Sequence, residues 1–160
     1  MKKHPAIGIC TYQTELQPHF ERLNKAWLNK YFTVEPLDEY VLSNPQEAIL
    51  NEGGRILFAT YSNEIIGTVA LKKKTDDTME LTKMAVDEKF QGLGAGKMLC
   101  QHAIDLARSL NVKRLVLFTQ KELSTALAIY RKLGFQEIPV EPGVYKRANV
   151  MMEIHLSSLQ

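Results

Sequence analysis

Gly92, Gly94 and Gly96 alternate with Leu93 and Ala95 directly after Gln91, and Lys97 follows them. Glycines at such spacing leave several backbone N–H groups uncovered. Where a strand passes through such a turn into a helix, those N–H groups sit at the positive end of the helix dipole and can seat phosphate oxygens. The kind of phosphate ligand narrows by elimination. A nucleotide-binding P-loop needs glycine five residues before its Gly-Lys pair and Ser or Thr after it. Here Gln91 and Met98 hold those positions, so the magnesium-binding hydroxyl is missing. A dinucleotide fingerprint needs a glycine three residues after the second of its three, but Lys97 stands there, and no βαβ unit opens the chain.

The elements around this turn can be read from periodicity. Glu80 to Val86 mixes Leu, Thr, Met and Val and reads as a mostly buried strand, joined to the glycines by Asp87-Glu88-Lys89. After the turn, Leu99, Ala103, Leu106 and Leu110 recur at helical spacing, which predicts an amphipathic helix ending near Asn111. Upstream, Ile7 to Tyr12 predicts a first strand. Pro18 starts a helix with Phe20, Leu23, Trp27 and Tyr31 on one face. Asp38 to Leu42 and Pro45 to Asn51 predict two short helical pieces. Arg55 to Tyr61 and Ile65 to Lys72 flank Ser62-Asn63-Glu64 as a hairpin, with a polar turn over Lys73 to Asp77. Downstream come a strand over Arg114 to Thr119, a helix capped by Ser124 and stopped by Gly134, a loop over Pro139 to Gly143, and a last strand over Val150 to Leu156. The order predicts an α/β architecture in which a mixed sheet carries helices on both faces, built as one domain over residues 1–160.

Two motifs carry a resemblance. Gln91-x-x-Gly94-x-Gly96 after a strand resembles the (Gln/Arg)-x-x-Gly-x-(Gly/Ala) pyrophosphate loop of the GNAT superfamily, the acyl-CoA-dependent N-acetyltransferases. Ala126-Leu-Ala-Ile-Tyr130-Arg-Lys-Leu-Gly134-Phe135 resembles the Ala-x-x-x-Tyr-x-x-x-Gly-Phe signature of the same superfamily, in the expected order and separation. Trp27 to Glu35 and the stretch from Tyr145 to Ile154 look, more loosely, like small stand-alone bacterial members. The resemblance implies a central, mostly antiparallel sheet flanked by helices, and acetyl-CoA as cosubstrate.

The resemblance also assigns roles. Backbone amides of Gln91, Gly92, Leu93, Gly94, Ala95, Gly96 and Lys97 would hold the pyrophosphate of coenzyme A, with the Lys97 side chain a further candidate. Met84, Ala85 and Val86 would pair with the pantetheine amides, and the Val86 N–H would face the developing oxyanion. Tyr130 would protonate the leaving thiolate, and Glu80 matches the general base of the histone acetyltransferase branch. Each also has a plainer reading: Tyr130 as a core aromatic, Glu80 as a solvent-facing strand end, the three strand residues as ordinary core. One departure is visible, since Leu123 stands where many relatives carry an asparagine against pantetheine. The implied reaction is direct attack of a neutral amine on the thioester in a ternary complex, without a covalent acyl-enzyme.

For the acceptor, Tyr31, Phe32, Glu35 and Arg147 are candidates, while Trp27 reads more simply as core. A pocket-facing Glu35 would suit a cationic amine, and a pocket-facing Arg147 a carboxylate-bearing one. Three functions stay open: small-molecule or amino-acid N-acetyltransferase, protein or peptide acetyltransferase, and non-catalytic acyl-CoA sensor. Composition sets the remaining bounds. The 160 residues carry a net charge of only +2, so nothing demands a nucleic acid or an anionic membrane as partner. Cys10 and Cys100 form no Cys-x-x-Cys pair, and His4, His19, His102 and His155 are scattered, so no metal site is expected. Ala6 to Cys10 is too short for a signal-peptide core, and no apolar run approaches the roughly 20 residues that span a bilayer. A cytoplasmic protein is the simplest expectation, with a homodimer possible.

Overall fold

Alternation along the sheet strands divides the apolar residues between two cores. In β2 (Arg55–Tyr61), Leu57 and Ala59 enter one cluster while Ile56 and Phe58 enter the other. In β3 (Glu64–Lys73), Val69 and Leu71 face the first cluster and Ala70 the second. Such division is what a sheet covered on both faces requires. The computed structural model describes residues 6–140 and 148–156. Its seven-stranded sheet has the order β1-β2-β3-β4-β5-β7-β6, adding β1 (Gly8–Thr11), β4 (Thr78–Val86), β5 (Arg114–Thr119), β6 (Gln136–Ile138) and β7 (Val150–His155). Every neighbouring pair is antiparallel except β4 with β5.

The first core is closed by α3 (Ala95–Ser109) and α4 (Ser124–Lys132), which contribute Leu99, Ala103, Ile104, Ala107 and Leu127. The second is closed by α1 (Gln17–Tyr31) and α2 (Pro36–Ser43) through Phe20, Leu28, Val41 and Leu42. The predicted helix over Pro45 to Asn51 is instead a single π turn, Gln46–Leu50, which still delivers Ile49 to that core. The β2–β3 hairpin turns on Ser62 and Asn63, both left-handed (φ 49° and 65°), the geometry that matches strand twist.

Three details differ from expectation. Ser124 is the first helical residue rather than the cap, which falls on Leu123 with no side-chain bond. β6, not singled out in the sequence, pairs only with β7. α2 begins two residues early, because Asp38 accepts from the Glu35 amide at 3.0 Å and Pro36 sits in the first turn. Gly134 does end α4. Its φ of 106° lets the Phe135 N–H reach the Tyr130 carbonyl at 3.0 Å and the Gly134 N–H reach that of Arg131 at 3.1 Å.

Candidate active site between strands β4 and β5

The site begins where two strands part. β4 and β5 pair only through Thr78–Arg114, Met79–Leu115 and Glu80–Val116. Beyond Glu80, β4 continues to Val86 along β3 alone. The Asp87 N–H donates to the Ile66 carbonyl at 2.8 Å, which makes the facing pair Gly67–Val86 a non-hydrogen-bonded one. Val86 therefore directs its N–H and C=O away from β3 and toward the gap, while Ala85 is engaged with Thr68.

A bulge resets the side-chain phase inside this stretch. Thr68 pairs with Ala85 and Ala70 with Thr82, so Lys83 and Met84 together oppose Val69. Lys83 takes a left-handed φ of 55°. Before the bulge, Met79 and Leu81 face the α3 side. After it, Met84 and Val86 do, with the Met84 Sδ 3.2 Å from the buried Cys100 Sγ. The extra residue turns Lys83 to the opposite face, where Glu80 and Thr82 also line a cavity against α1.

Two adjoining spaces result. A groove of about 530 Å³ runs from Met84 and Val86 to the glycine turn and the start of α3. Gly92 and Gly94 have φ of 88° and 87°, and a Cβ at either would meet nothing within 4 Å, so the backbone here stands bare. The Met98 N–H makes the first α3 bond, to the Gly94 carbonyl at 3.0 Å, and Gly94 has no side chain to cap the turn. The amides of Ala95, Gly96 and Lys97 precede that ladder and are available to an anion.

The second space, about 120 Å³, lies behind Met84 and is lined by Glu80, Lys83, Tyr130, Asn24, Phe32 and Phe118 among others. Trp27, Met84, Leu123 and Ala126 line both spaces and mark their junction. Trp27 is half-buried and tilts against Tyr31 and Phe32 at centroid distances of 5.4 and 5.3 Å, so it forms a wall as well as core. Tyr130 is buried, its ring 5.9 Å from that of Phe135, and desolvation with the nearby Cys100 pushes its hydroxyl pKa well above the usual tyrosine range. Desolvation alone pushes the Cys100 thiol up to about 12. Glu80 is 1% exposed, its Oε1 3.6 Å from the Lys74 Nζ.

The residues expected from sequence divide accordingly. Glu80, Tyr130 and Phe32 meet in the inner cavity, which Met84 joins to the groove. Ala85, Val86, Gln91, Gly92, Gly94, Ala95, Gly96, Lys97 and Tyr31 line the groove. Leu93 is exposed and lines neither space. Glu35 caps α2 and likewise lines neither. Arg147 lies outside the described residues. Sequence reasoning did not single out Asn24, Lys83 or Asp38. Lys83 and Asp38 form a buried ion pair of 3.0 Å across 45 positions, a contact that no local pattern announces. Among the described residues, no group of three or more His, Cys, Asp or Glu side chains gathers as metal ligands, and no helix is long and apolar enough to cross a membrane.

The sequence matches the profile of the Acetyltransferase (GNAT) family over residues 20–135. The uncharacterized N-acetyltransferase YvbK of Bacillus subtilis is 30% identical over 116 residues, 71% of this chain and 75% of that protein. The alanine N-acetyltransferase of ribosomal protein bS18 from Salmonella typhimurium is 31% identical over 61% of this chain and 67% of its own length. Zebrafish N-acetylaspartate synthetase is 35% identical over 50% of this chain, which spans only 29% of that protein. Among solved structures, a GNAT-family acetyltransferase from Staphylococcus aureus superimposes with a TM-score of 0.85 at 23% identity, covering 95% of this chain and all of that one. A Salmonella typhimurium acetyltransferase, YncA, solved with acetyl-CoA, gives 0.76 at 18% identity over 95% of each chain. With the family profile spanning more than half of the chain, this protein belongs to the GNAT acetyltransferase family and is an acyltransferase.

Proposed function

We propose that this protein, acting as one domain over residues 1–160, transfers an acetyl group from acetyl-CoA to a primary amine of a small molecule or amino acid by direct attack in a ternary complex. The observation that carries the reading is the junction at Met84, where a groove ending on bare helix-start amides adjoins a second, smaller space. The groove suits a long, thin ligand with phosphates at one end. Val86 offers backbone groups along its length, and the amides of Ala95, Gly96 and Lys97 receive the pyrophosphate. The YncA structure with acetyl-CoA supports the choice of ligand.

At the junction each residue has a task. Tyr130 holds a proton at an oxygen that burial keeps neutral and can give it to the departing thiolate sulfur. The Glu80 carboxylate accepts the proton the amine must lose, directly or through a water. Trp27 and Leu123 narrow the passage so that the amine meets the thioester carbonyl in one orientation, which supplies much of the acceleration. The smaller space, lined by the buried Glu80 and Tyr130, suits a small acceptor.

The test is acceptor-dependent release of free CoA thiol from acetyl-CoA across amino acids, polyamines, aminoglycosides and lysine or alanine-terminated peptides. Turnover on small amines, lost in Tyr130→Phe while acetyl-CoA still binds, supports the reading. Turnover on peptides alone replaces it with a protein acetyltransferase. Binding of acetyl-CoA with no turnover on any class replaces it with a sensor.

A further inference from the structure

We infer that Lys83 binds a carboxylate on the acceptor, so that the acceptor is an amino acid and not a polyamine. The inference rests on the function just proposed and deepens it.

Lys83 lines the inner cavity together with Glu80 and Tyr130, and its side chain is only 11% exposed. An ammonium carries three N–H donors. Among the described residues one of them is taken, by the Asp38 Oδ1 at 3.0 Å. Asp38 itself is held from its other side, its Oδ2 accepting the Glu35 amide at 3.0 Å, so it serves as a fixed post for the lysine. A nearly buried ammonium with two further donors at a cavity wall is a site for oxygen acceptors.

The backbone points the same way. Lys83 pays the strain of a left-handed φ of 55° that glycine would adopt freely, and the bulge it occupies is what turns it toward the acceptor face. The cavity thus presents a carboxylate at Glu80 and an ammonium at Lys83. An amino acid is complementary to both, its amine toward Glu80 and its carboxylate toward Lys83. A polyamine would bring a second cation against Lys83. A phosphorylated amine would reach the lysine too, but it would bring a dianion beside the Asp38 carboxylate, 3.0 Å from the same ammonium.

The test is calorimetric titration of the CoA-saturated protein with the common amino acids, their carboxamides, α,ω-diamines and a phosphorylated aminoalcohol. The expected result is at least one amino acid that binds about 10- to 100-fold more tightly than its carboxamide. That ratio should fall to about one in Lys83→Met and survive in part in Lys83→Arg. If Lys83→Met fails to fold, Lys83→Met/Asp38→Asn removes both charges and keeps the comparison. The inference is overturned if acid and carboxamide bind equally, if the ratio persists in Lys83→Met, or if only diamines or the phosphorylated amine bind. Failure of CoA itself to bind would overturn the proposed function and this inference together, whereas CoA binding without acid preference overturns this inference alone.

Discussion

Gly94 and Gly96 lie two residues apart in one turn, yet alanine should act on them in opposite directions. Gly94 has a φ of 87°, so alanine there adopts a left-handed backbone that costs about 1–2 kcal/mol. No clash adds to this, because its Cβ would meet nothing within 4 Å. Gly96 is helical, and its Cβ would make ordinary contacts with Ile129 at 3.7 Å, Val86 at 3.9 Å and Met84 at 4.0 Å. Alanine at a helical position gains about 0.5–1 kcal/mol over glycine. In a chain of this size each kcal/mol moves Tm by about 2–4 °C. Gly94→Ala should therefore lower the Tm of the free protein by several degrees, and Gly96→Ala should raise it slightly. Those three neighbours of Gly96 all line the groove, and the added methyl sits at ordinary contact distance from them without covering the helix-start amides. The ligand-induced rise in Tm at saturating CoA, a direct function of affinity, should then persist in Gly96→Ala alongside its greater stability. Thermal unfolding of the three proteins, with and without CoA, measures all of this. A Gly96→Ala protein less stable than the parent, or one that has lost the CoA-induced rise, would refute the reasoning.

Tyr130→Phe keeps the ring against Phe135 and removes only the hydroxyl. It should leave Tm and CoA affinity near the parent values while kcat falls about 100-fold or more, read by thiol release. Asp38→Asn leaves Lys83 beside a neutral amide in a buried place and should cost about 3 kcal/mol in urea unfolding. Cys100, with its thiol pKa pushed up to about 12, stays protonated in the folded chain where the unfolded chain ionises above about 8.5. Its contribution to stability is therefore whole below that pH and shrinks as pH climbs toward 12. Between pH 8 and pH 10 the loss should be about 1–2 kcal/mol, and Cys100→Ala should flatten that slope in urea midpoints. The same thiol should resist alkylation at pH 8 until the protein unfolds.

The parts of this molecule that local chemistry dictates were legible in the sequence. β2 and β5 have the bounds their β-branched and aromatic runs suggest, and the glycine turn, both flanking elements and the Gly134 stop are where composition puts them. What escaped was set by partners distant in the chain. The bulge at Lys83 and Met84 is a matter of register against Val69, and Leu-Thr-Lys-Met contains no glycine to mark its left-handed residue. β6 has three residues and exists because β7 supplies its bonds. Trp27 shares the helical spacing of the core residues Phe20 and Leu23, and only the gap between β4 and β5 makes it a wall. Glu35 looked available to a ligand because a capping role depends on where Asp38 folds back.

The early parting of β4 from β5 has a consequence for solubility. A strand edge with open amides usually lies at the rim of a sheet, where a strand from another molecule can add to it and seed aggregation. Here the open stretch from Leu81 to Val86 lies in the middle of a seven-stranded order, with β5 and β7 beyond it and α1 and α4 near its mouth. By placing its adhesive edge inside the sheet, the fold keeps a strand's capacity to bind while withholding it from other strands.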